Sequence, residues 1–235
     1  MKKVGIVLLI LIFLATNVLA NPYPEEEDDD FDVFTIVALA SFIGMVGVVI
    51  YAMHINNKKA RTEQMEGEEV RINIEENGYV DIKGKYWITN DSRDESSMKI
   101  NYPYAEADYL HSPECIEIKT DYDGSTVIHE YRKKGNGWVF DTSLKPEGTN
   151  VIAVHYNQKT EKNSFKYLLT TARQWGSPIE SAEFTIKIPE KYELTKSTYN
   201  YEYVGRHSNK NVYKISETGL FPSKELEFSW KEKQN

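Results

Sequence analysis

Cysteine and basic charge are both scarce in this sequence. Cys115 is the only cysteine among 235 residues, so an internal disulfide cannot form and a small disulfide-stapled scaffold is excluded. Lys and Arg number 28 against 36 Asp and Glu, which gives a formal net charge of −8. Domains that bind nucleic acids present a clustered basic face. The composition therefore predicts no nucleic-acid partner.

Catalytic motifs are missing as well. The sequence has no Gly-x-Ser-x-Gly elbow, His-Glu-x-x-His pair, Walker loop or dinucleotide fingerprint, so we expect no catalytic residues, no cofactor and no enzyme. His111 and Cys115 have a spacing that suits zinc. A structural zinc ion needs four ligands, however, and no second pair stands out, so we expect no metal site. His129 and Glu130 are neighbours on a predicted strand, where their side chains would point to opposite faces.

One long uncharged apolar run is present, at residues 33–53. It is long enough to cross a bilayer core of about 30 Å as a helix, so we predict a transmembrane helix over residues 33–55 that contacts the lipid bilayer through 33–53. Lys58, Lys59 and Arg61 follow this run. The positive-inside rule places these basic residues, and the large C-terminal part with them, in the cytoplasm.

The segments around this run differ in composition. Residues 1–20 have a basic start, an apolar middle and small residues at the end, which is typical of a signal peptide. The alternative is a retained first membrane helix, which would make the protein two-pass instead of single-pass. Residues 21–32 form an acidic linker, where the alternative of a calcium site lacks the spacing of a known calcium loop. Residues 56–67 form a polar linker that we expect to continue the helix briefly.

From residue 68 onward, apolar residues recur with a period of two. Val70, Ile72 and Ile74 alternate with Arg71 and Asn73, which indicates a strand with one buried face. About a dozen segments show comparable strand signals, and none after residue 68 has a helical stripe of useful length. The pattern predicts a mostly β fold, an antiparallel β-sandwich over residues 68–235. The alternative is two successive sandwich halves divided near residues 143–149.

Some local features are specific enough to state separately. Asn77-Gly78 between two strand runs is the favoured two-residue hairpin turn. Phe165–Thr171 is a predicted strand, and Glu106–Leu110 is a predicted single helical turn.

Two stretches at the ends of the domain resemble a known family. The first comprises residues 69–74, 79–82, 86–90 and 100–103, and the second runs from Tyr167 through Trp175-Gly176-Ser177-Pro178-Ile179 to Pro189. They resemble domain-of-unknown-function family 4424, a β-rich domain of exported bacterial and archaeal proteins. The resemblance implies an envelope setting with the C-terminal domain outside the cytoplasm, which is the opposite side from the one that the charge rule gives.

Trp175 is the one candidate binding residue. It precedes a turn made by Gly176 and Pro178, so its indole could either cover a structural corner or form an aromatic binding platform. A hydrolase or carbohydrate-binding module would combine Trp175 with Asp121 and Asp123. That hypothesis requires the three side chains to lie within about 15 Å of one another, a generous limit for paired carboxylates.

The sequence thus favours a membrane-anchored β-sandwich without catalysis. We expect a binding or structural module at the cell membrane, with an unidentified protein partner. The alternatives are the carbohydrate-binding or hydrolytic envelope module and a purely structural component of the envelope.

Overall fold

The structure is a computed structural model, and it describes residues 63–113, 116–122 and 124–234. These residues belong to the second of two units of the chain, Ala60–Asn235. The predicted signal peptide, acidic linker and transmembrane helix lie outside the described residues. Within the described residues, no helix is long and apolar enough to cross a membrane.

The described part is mostly β, as predicted, with one 3₁₀ helix over Thr170–Trp175. The strands are β1 (Glu63–Ile74), β2 (Tyr79–Asn90), β3 (Ser96–Pro103), β4 (Ile116–Tyr122), β5 (Ser125–Ile128), β6 (Arg132–Lys134), β7 (Gly137–Leu144), β8 (Gly148–Lys159), β9 (Ser164–Tyr167), β10 (Ile179–Pro189), β11 (Tyr192–Ser197), β12 (Glu202–His207), β13 (Lys210–Leu220) and β14 (Leu226–Glu232).

Three sheets contain these strands. An eight-stranded sheet has the order β12-β13-β10-β1-β2-β8-β4-β5, and two three-stranded sheets have the orders β11-β14-β9 and β3-β7-β6. The prediction of a wholly antiparallel arrangement is wrong for one pair, because β1 and β10 run parallel. Parallel neighbours need a long crossover, here most of the domain, and local periodicity carries no information about it.

The alternative of two successive halves divided near residues 143–149 is also wrong. Strand β8 begins inside that interval at Gly148 and pairs with both β2 and β4 from the first half of the domain. Strand β1 likewise pairs with β10 from the second half. The large sheet is therefore continuous across the proposed division.

The first strand begins earlier than the sequence suggested. Residues 63–67 were predicted to belong to a linker that continues a helix, whereas β1 starts at Glu63. An irregularity between Met65 and Gly67 accounts for the missed signal. The extra residue there breaks the period of two, although Met65 is still buried.

The turn between β1 and β2 is a hairpin, as predicted, but its loop has a different length. The Glu75 N–H donates to the Tyr79 carbonyl and the Gly78 N–H donates to the Glu75 carbonyl, which encloses three loop residues instead of two. Gly78 has φ of 82°, which is the left-handed conformation that this three-residue loop requires at its last position.

Both small sheets pack on the same face of the large sheet. On one side, the Trp138 ring of β7 lies 5.6 Å from the Tyr156 ring of β8, measured between ring centroids. On the other side, the Tyr167 ring of β9 lies 6.1 Å from the Phe184 ring of β10. The two small sheets therefore approach each other above the middle strands, β1 and β2.

Candidate functional site

A glutamate occupies a core position in the middle of the large sheet. Glu68 precedes Val70, Ile72 and Ile74 in the alternation of β1 and is only 4% exposed. It lies opposite Ala182 on β10 and opposite Tyr86 on β2.

The Glu68 carboxyl group is poorly solvated. Its Oε1 atom is buried and has no hydrogen-bond partner in the described structure. Burial raises the pKa of Glu68 to about 8, because an ionised carboxylate loses its hydration there. At neutral pH the empty site therefore holds mainly the protonated acid.

Three tyrosines join the three sheets beside this carboxyl group. The Tyr86 hydroxyl lies 2.7 Å from that of Tyr102 on β3 and 2.6 Å from that of Tyr167 on β9. A hydroxyl has one hydrogen, so Tyr86 donates at most one of these two bonds and accepts at least one. Burial raises the pKa of all three phenols, and the nearby Glu68 charge adds to that rise, so they stay neutral.

Gly84 makes room for the central tyrosine. Gly84 and Tyr86 lie on the same face of β2, and the tyrosine side chain leans back over the glycine. A Cβ atom at Gly84 would overlap the Tyr86 hydroxyl and lie 2.7 Å from its Cζ atom. The glycine is therefore needed for the position of the phenol.

A cavity of about 140 Å³ opens between the small sheets above Glu68 and Tyr86. Its lining combines the buried carboxyl group, tyrosine rings and apolar side chains of β1, β2, β3, β7, β8 and β9 with the segment around the 3₁₀ helix. The lining residues are Met65, Glu68, Tyr86, Ile88, Met98, Lys99, Ile100, Asn101, Tyr102, Pro103, Phe140, Ile152, Tyr167, Leu168, Leu169, Thr171, Ala172, Gln174 and Trp175.

Trp175 is held at this cavity by the 3₁₀ helix, where the sequence predicted the end of a strand. Strand β9 ends at Tyr167, and the Glu225 carboxylate then accepts hydrogen bonds from the Leu169 N–H at 2.5 Å and the Thr170 N–H at 3.0 Å. These bonds satisfy donors at the helix start, and the negative charge complements that end. Gly176, with φ of 81°, ends the helix directly after Trp175.

The predicted partners of Trp175 do not join it. Asp121 follows the buried Thr120 on β4, so it points to the opposite face of the large sheet, where it accepts a hydrogen bond from Thr126. It is not among the residues that line the cavity. Asp123 lies outside the described residues.

The histidines of the described part are also dispersed. His111 forms a surface contact with Glu161 at 2.8 Å, and its proposed zinc partner Cys115 lies outside the described residues. His129 follows the end of β5 and bonds the Thr120 hydroxyl at 2.7 Å. Burial lowers the pKa of His129. The described ranges contain no group of three or more His, Cys, Asp or Glu residues that could hold a metal.

The predicted helical turn at Glu106–Leu110 is wrong, since Ala107 and Leu110 form an isolated β-bridge.

Sequence reasoning missed the residues that define the cavity. Glu68 was detectable, because extending the alternation of β1 back by one step from Val70 places a glutamate on the core face. Gly84 and Tyr86 share that face by the same rule. No local sequence pattern reveals the contact of Tyr86 with Tyr102 and Tyr167, since the three residues belong to separate sheets.

Comparisons with known proteins identify a fold. No protein-family model matches the chain, and no match is found among curated proteins. The chain is similar to a Legionella pneumophila protein that is proposed to bind nutrients, at 12% identity and a TM-score of 0.52, covering 72% of this chain and 67% of that one. It also aligns with an M1 zinc metallopeptidase from Deinococcus radiodurans at 8% identity and a TM-score of 0.45, over 72% of this chain and 42% of the peptidase. At these identities the likeness concerns the fold alone.

Proposed function

We propose that this protein is a non-enzymatic, membrane-anchored binding module whose described domain takes up a small ligand in the Glu68 cavity. The observation that carries the proposal is the buried Oε1 atom of Glu68, which has no hydrogen-bond partner and belongs to a side chain that lines a cavity. An unsatisfied buried polar group costs about 1–3 kcal/mol. A ligand that bonds this oxygen would remove that cost, so its binding would also stabilise the fold.

The lining of the cavity suits recognition more than catalysis. Acid–base chemistry uses a positioned group that exchanges protons near neutral pH, commonly with a second group of complementary role. Apart from Glu68 and the tyrosines, the ionisable residue of the lining is Lys99. Its side chain is exposed and pairs with Asp141 at 2.9 Å. The hydroxyls of the tyrosine cluster are neutral and engaged with one another. These features support a binding role.

A ligand screen tests this function. The full chain, held in lipid nanodiscs, is screened by calorimetry against amines, alcohols and carboxylates of about the size of benzene. We expect at least one class to bind, and Ala172→Leu, which adds bulk to the cavity wall, to abolish that binding. Ala153→Leu adds the same bulk on the outer face of β8 and serves as the control. Failure of every class to bind, or equal binding by Ala172→Leu, would contradict the proposal.

The membrane anchor is tested separately. We expect the full chain to resist extraction from membranes at alkaline pH and a version without residues 33–53 to become extractable. An impermeant protease applied to sealed cells then reports the side of the domain. Protection supports the cytoplasmic side given by Lys58, Lys59 and Arg61, whereas digestion supports the exported setting implied by the family resemblance. Extraction of the full chain with peripheral proteins would contradict the anchor.

The carbohydrate-binding or hydrolytic alternative has less support. Of its three residues, Trp175 lines the cavity, whereas Asp121 lies on the other face of the large sheet. A carbohydrate site built on this cavity would therefore depend on Glu68, the tyrosine hydroxyls and Trp175. The alcohols in the ligand screen test whether the cavity binds hydroxyl groups, as such a carbohydrate site requires.

A further inference from the structure

We propose that the ligand of this cavity is a small organic cation, whose ammonium or guanidinium group pairs with the Glu68 carboxylate. This inference rests on the proposed function, because it identifies the chemical class that the same cavity takes up.

The charge balance around Glu68 is the first support. Two cations on the elements around the cavity make contacts elsewhere. Lys99 of β3 pairs with Asp141, and Arg173 of the 3₁₀ helix lies over the Phe221 ring at 5.0 Å. Neither cation is in contact with the buried carboxyl group. A positively charged ligand would therefore supply the counter-charge that the ionised carboxylate lacks. The titratable groups nearest Glu68 in the cavity are the neutral phenols of Tyr86, Tyr102 and Tyr167, and Tyr199 also interacts with its charge. A second pocket that Glu68 lines carries no cation within the described residues and holds further carboxyl groups, namely Glu66, Glu69, Glu180 and Glu183.

The aromatic wall is the second support. Trp175 and the rings of Tyr86, Tyr102 and Tyr167 border the same space as the carboxyl group. The faces of aromatic rings attract cations, most strongly when the cation is out of water, and tryptophan is the strongest of these partners. An ammonium group bonded to Glu68 would have its neighbouring methylene groups against these rings and against Met65 and Ile88.

The size of the cavity limits the cation. An engineered apolar cavity of about 150 Å³ in another protein holds one benzene molecule. The present cavity of about 140 Å³ therefore accommodates a ligand of about six non-hydrogen atoms. That size fits a short alkylamine or a guanidinium compound with a brief tail, and it excludes a disaccharide or a nucleotide.

Protonation gives the inference a distinctive signature. The pKa of Glu68 is about 8 in the empty site, so a cation that requires the carboxylate must displace a proton below that pH. Its apparent affinity should rise about tenfold per pH unit between pH 6 and 7 and level off above pH 8. A neutral ligand that accepts a hydrogen bond from the protonated acid would show the reverse trend and weaken above pH 8.

The test compares n-butylamine with 1-butanol, which has the same number of non-hydrogen atoms but no charge. Binding to the full chain in nanodiscs is measured by calorimetry from pH 6 to 9, where an alkylamine stays protonated. We expect n-butylamine to bind at least tenfold more tightly than 1-butanol at pH 8, with the rise in affinity described above. We expect Glu68→Gln, which preserves shape, to lose at least tenfold in affinity for the amine and to lose the pH dependence. Thermal unfolding of this variant checks that it is folded.

The outcomes separate the two proposals. Tighter binding of 1-butanol, or equal binding of both probes that persists in Glu68→Gln, overturns the cation proposal and leaves the cavity as a binding site. Absence of binding by both probes overturns the cation proposal, and failure of the wider ligand screen would then overturn the proposed function as well. Binding of an amine that Ala172→Leu does not affect places the amine elsewhere and also overturns the proposal.

Discussion

Glu68 on β1 is paired directly with Tyr86 on β2, and both side chains lie on the buried face of the large sheet. The pair combines a carboxyl group that lacks a partner at Oε1 with a phenol that bonds two other phenols. The polar centre of the domain is therefore asymmetric. Its tyrosine side is satisfied within the protein, and its glutamate side is open to the cavity.

The stability of the domain should depend on pH through Glu68. The pKa of this residue is raised to about 8 in the folded state from an ordinary value of 4.5, so the folded protein binds its proton more tightly than the unfolded chain does. Stability is then greatest below the ordinary pKa and falls as the pH rises towards 8. The loss is on the order of 3–5 kcal/mol in the absence of ligand.

Chemical denaturation at pH 5 and at pH 9 measures this loss, with Glu68→Gln as the comparison. We expect the free energy of unfolding of the wild type to fall markedly between the two values, and that of Glu68→Gln to change much less. A wild-type stability that is equal at both values would show that Glu68 ionises without cost in the fold.

Within the tyrosine cluster, loss of the central hydroxyl, that of Tyr86, should destabilise the fold most. Tyr86→Phe removes both hydroxyl–hydroxyl hydrogen bonds, whereas Tyr102→Phe removes one of them. We expect a loss in unfolding free energy of about 2 kcal/mol for the first substitution and about 1 kcal/mol for the second, because each bond contributes about 1 kcal/mol. Denaturant titration measures both values. A larger effect of Tyr102→Phe would contradict the central role of Tyr86.

Gly84 should not tolerate even a methyl group. The Cβ atom of Gly84→Ala would collide with the Tyr86 phenol, which has to move away from Tyr102 and Tyr167. We expect a destabilisation of about 2–3 kcal/mol, which is typical of an overpacked core with broken hydrogen bonds. Gly148→Ala is the matched control, since its nearest neighbour would lie 3.6 Å away. Similar thermal unfolding of both variants would refute this packing role.

Glu225 should control the order of the segment that holds Trp175. Glu225→Ala removes the acceptor for the backbone N–H groups of Leu169 and Thr170. We expect faster hydrogen exchange at these two amides and a destabilisation of about 1–2 kcal/mol, as for the loss of a helix cap. Glu227→Ala is the control, because it removes only a surface ion pair with Lys166 and should cost under about 1 kcal/mol. Unchanged exchange at both amides in Glu225→Ala would contradict the capping role.

The strands and their buried faces were largely predictable because both are local properties. The alternation of Val70, Ile72 and Ile74 gave the core face of β1 correctly. The same rule, extended back by one step, would have placed Glu68 on that face, but a glutamate on a core face contradicts the usual distribution of polar residues. Such disagreements between a local rule and the fold are expected at functional sites.

The rest of the site depends on contacts that are distant in the sequence. The 3₁₀ helix begins at Thr170 because Glu225 lies beside it, and no pattern within residues 165–171 reveals that partner. The cavity exists because β3 and β9 belong to different small sheets that meet above β1 and β2. The position of Trp175 as a binding candidate was suggested by its sequence context, whereas its neighbours in the cavity were not.

The number of protons released on binding is the most direct test of the role of Glu68. Calorimetric titration of the full chain with n-butylamine at pH 7, in two buffers with different ionisation enthalpies, measures that number. We expect close to one proton to be released per amine bound, because Glu68 is mainly protonated in the empty site and ionised in the complex. We expect no release from any residual binding to Glu68→Gln. Binding of the amine without proton release, or with release that persists in Glu68→Gln, would contradict the account.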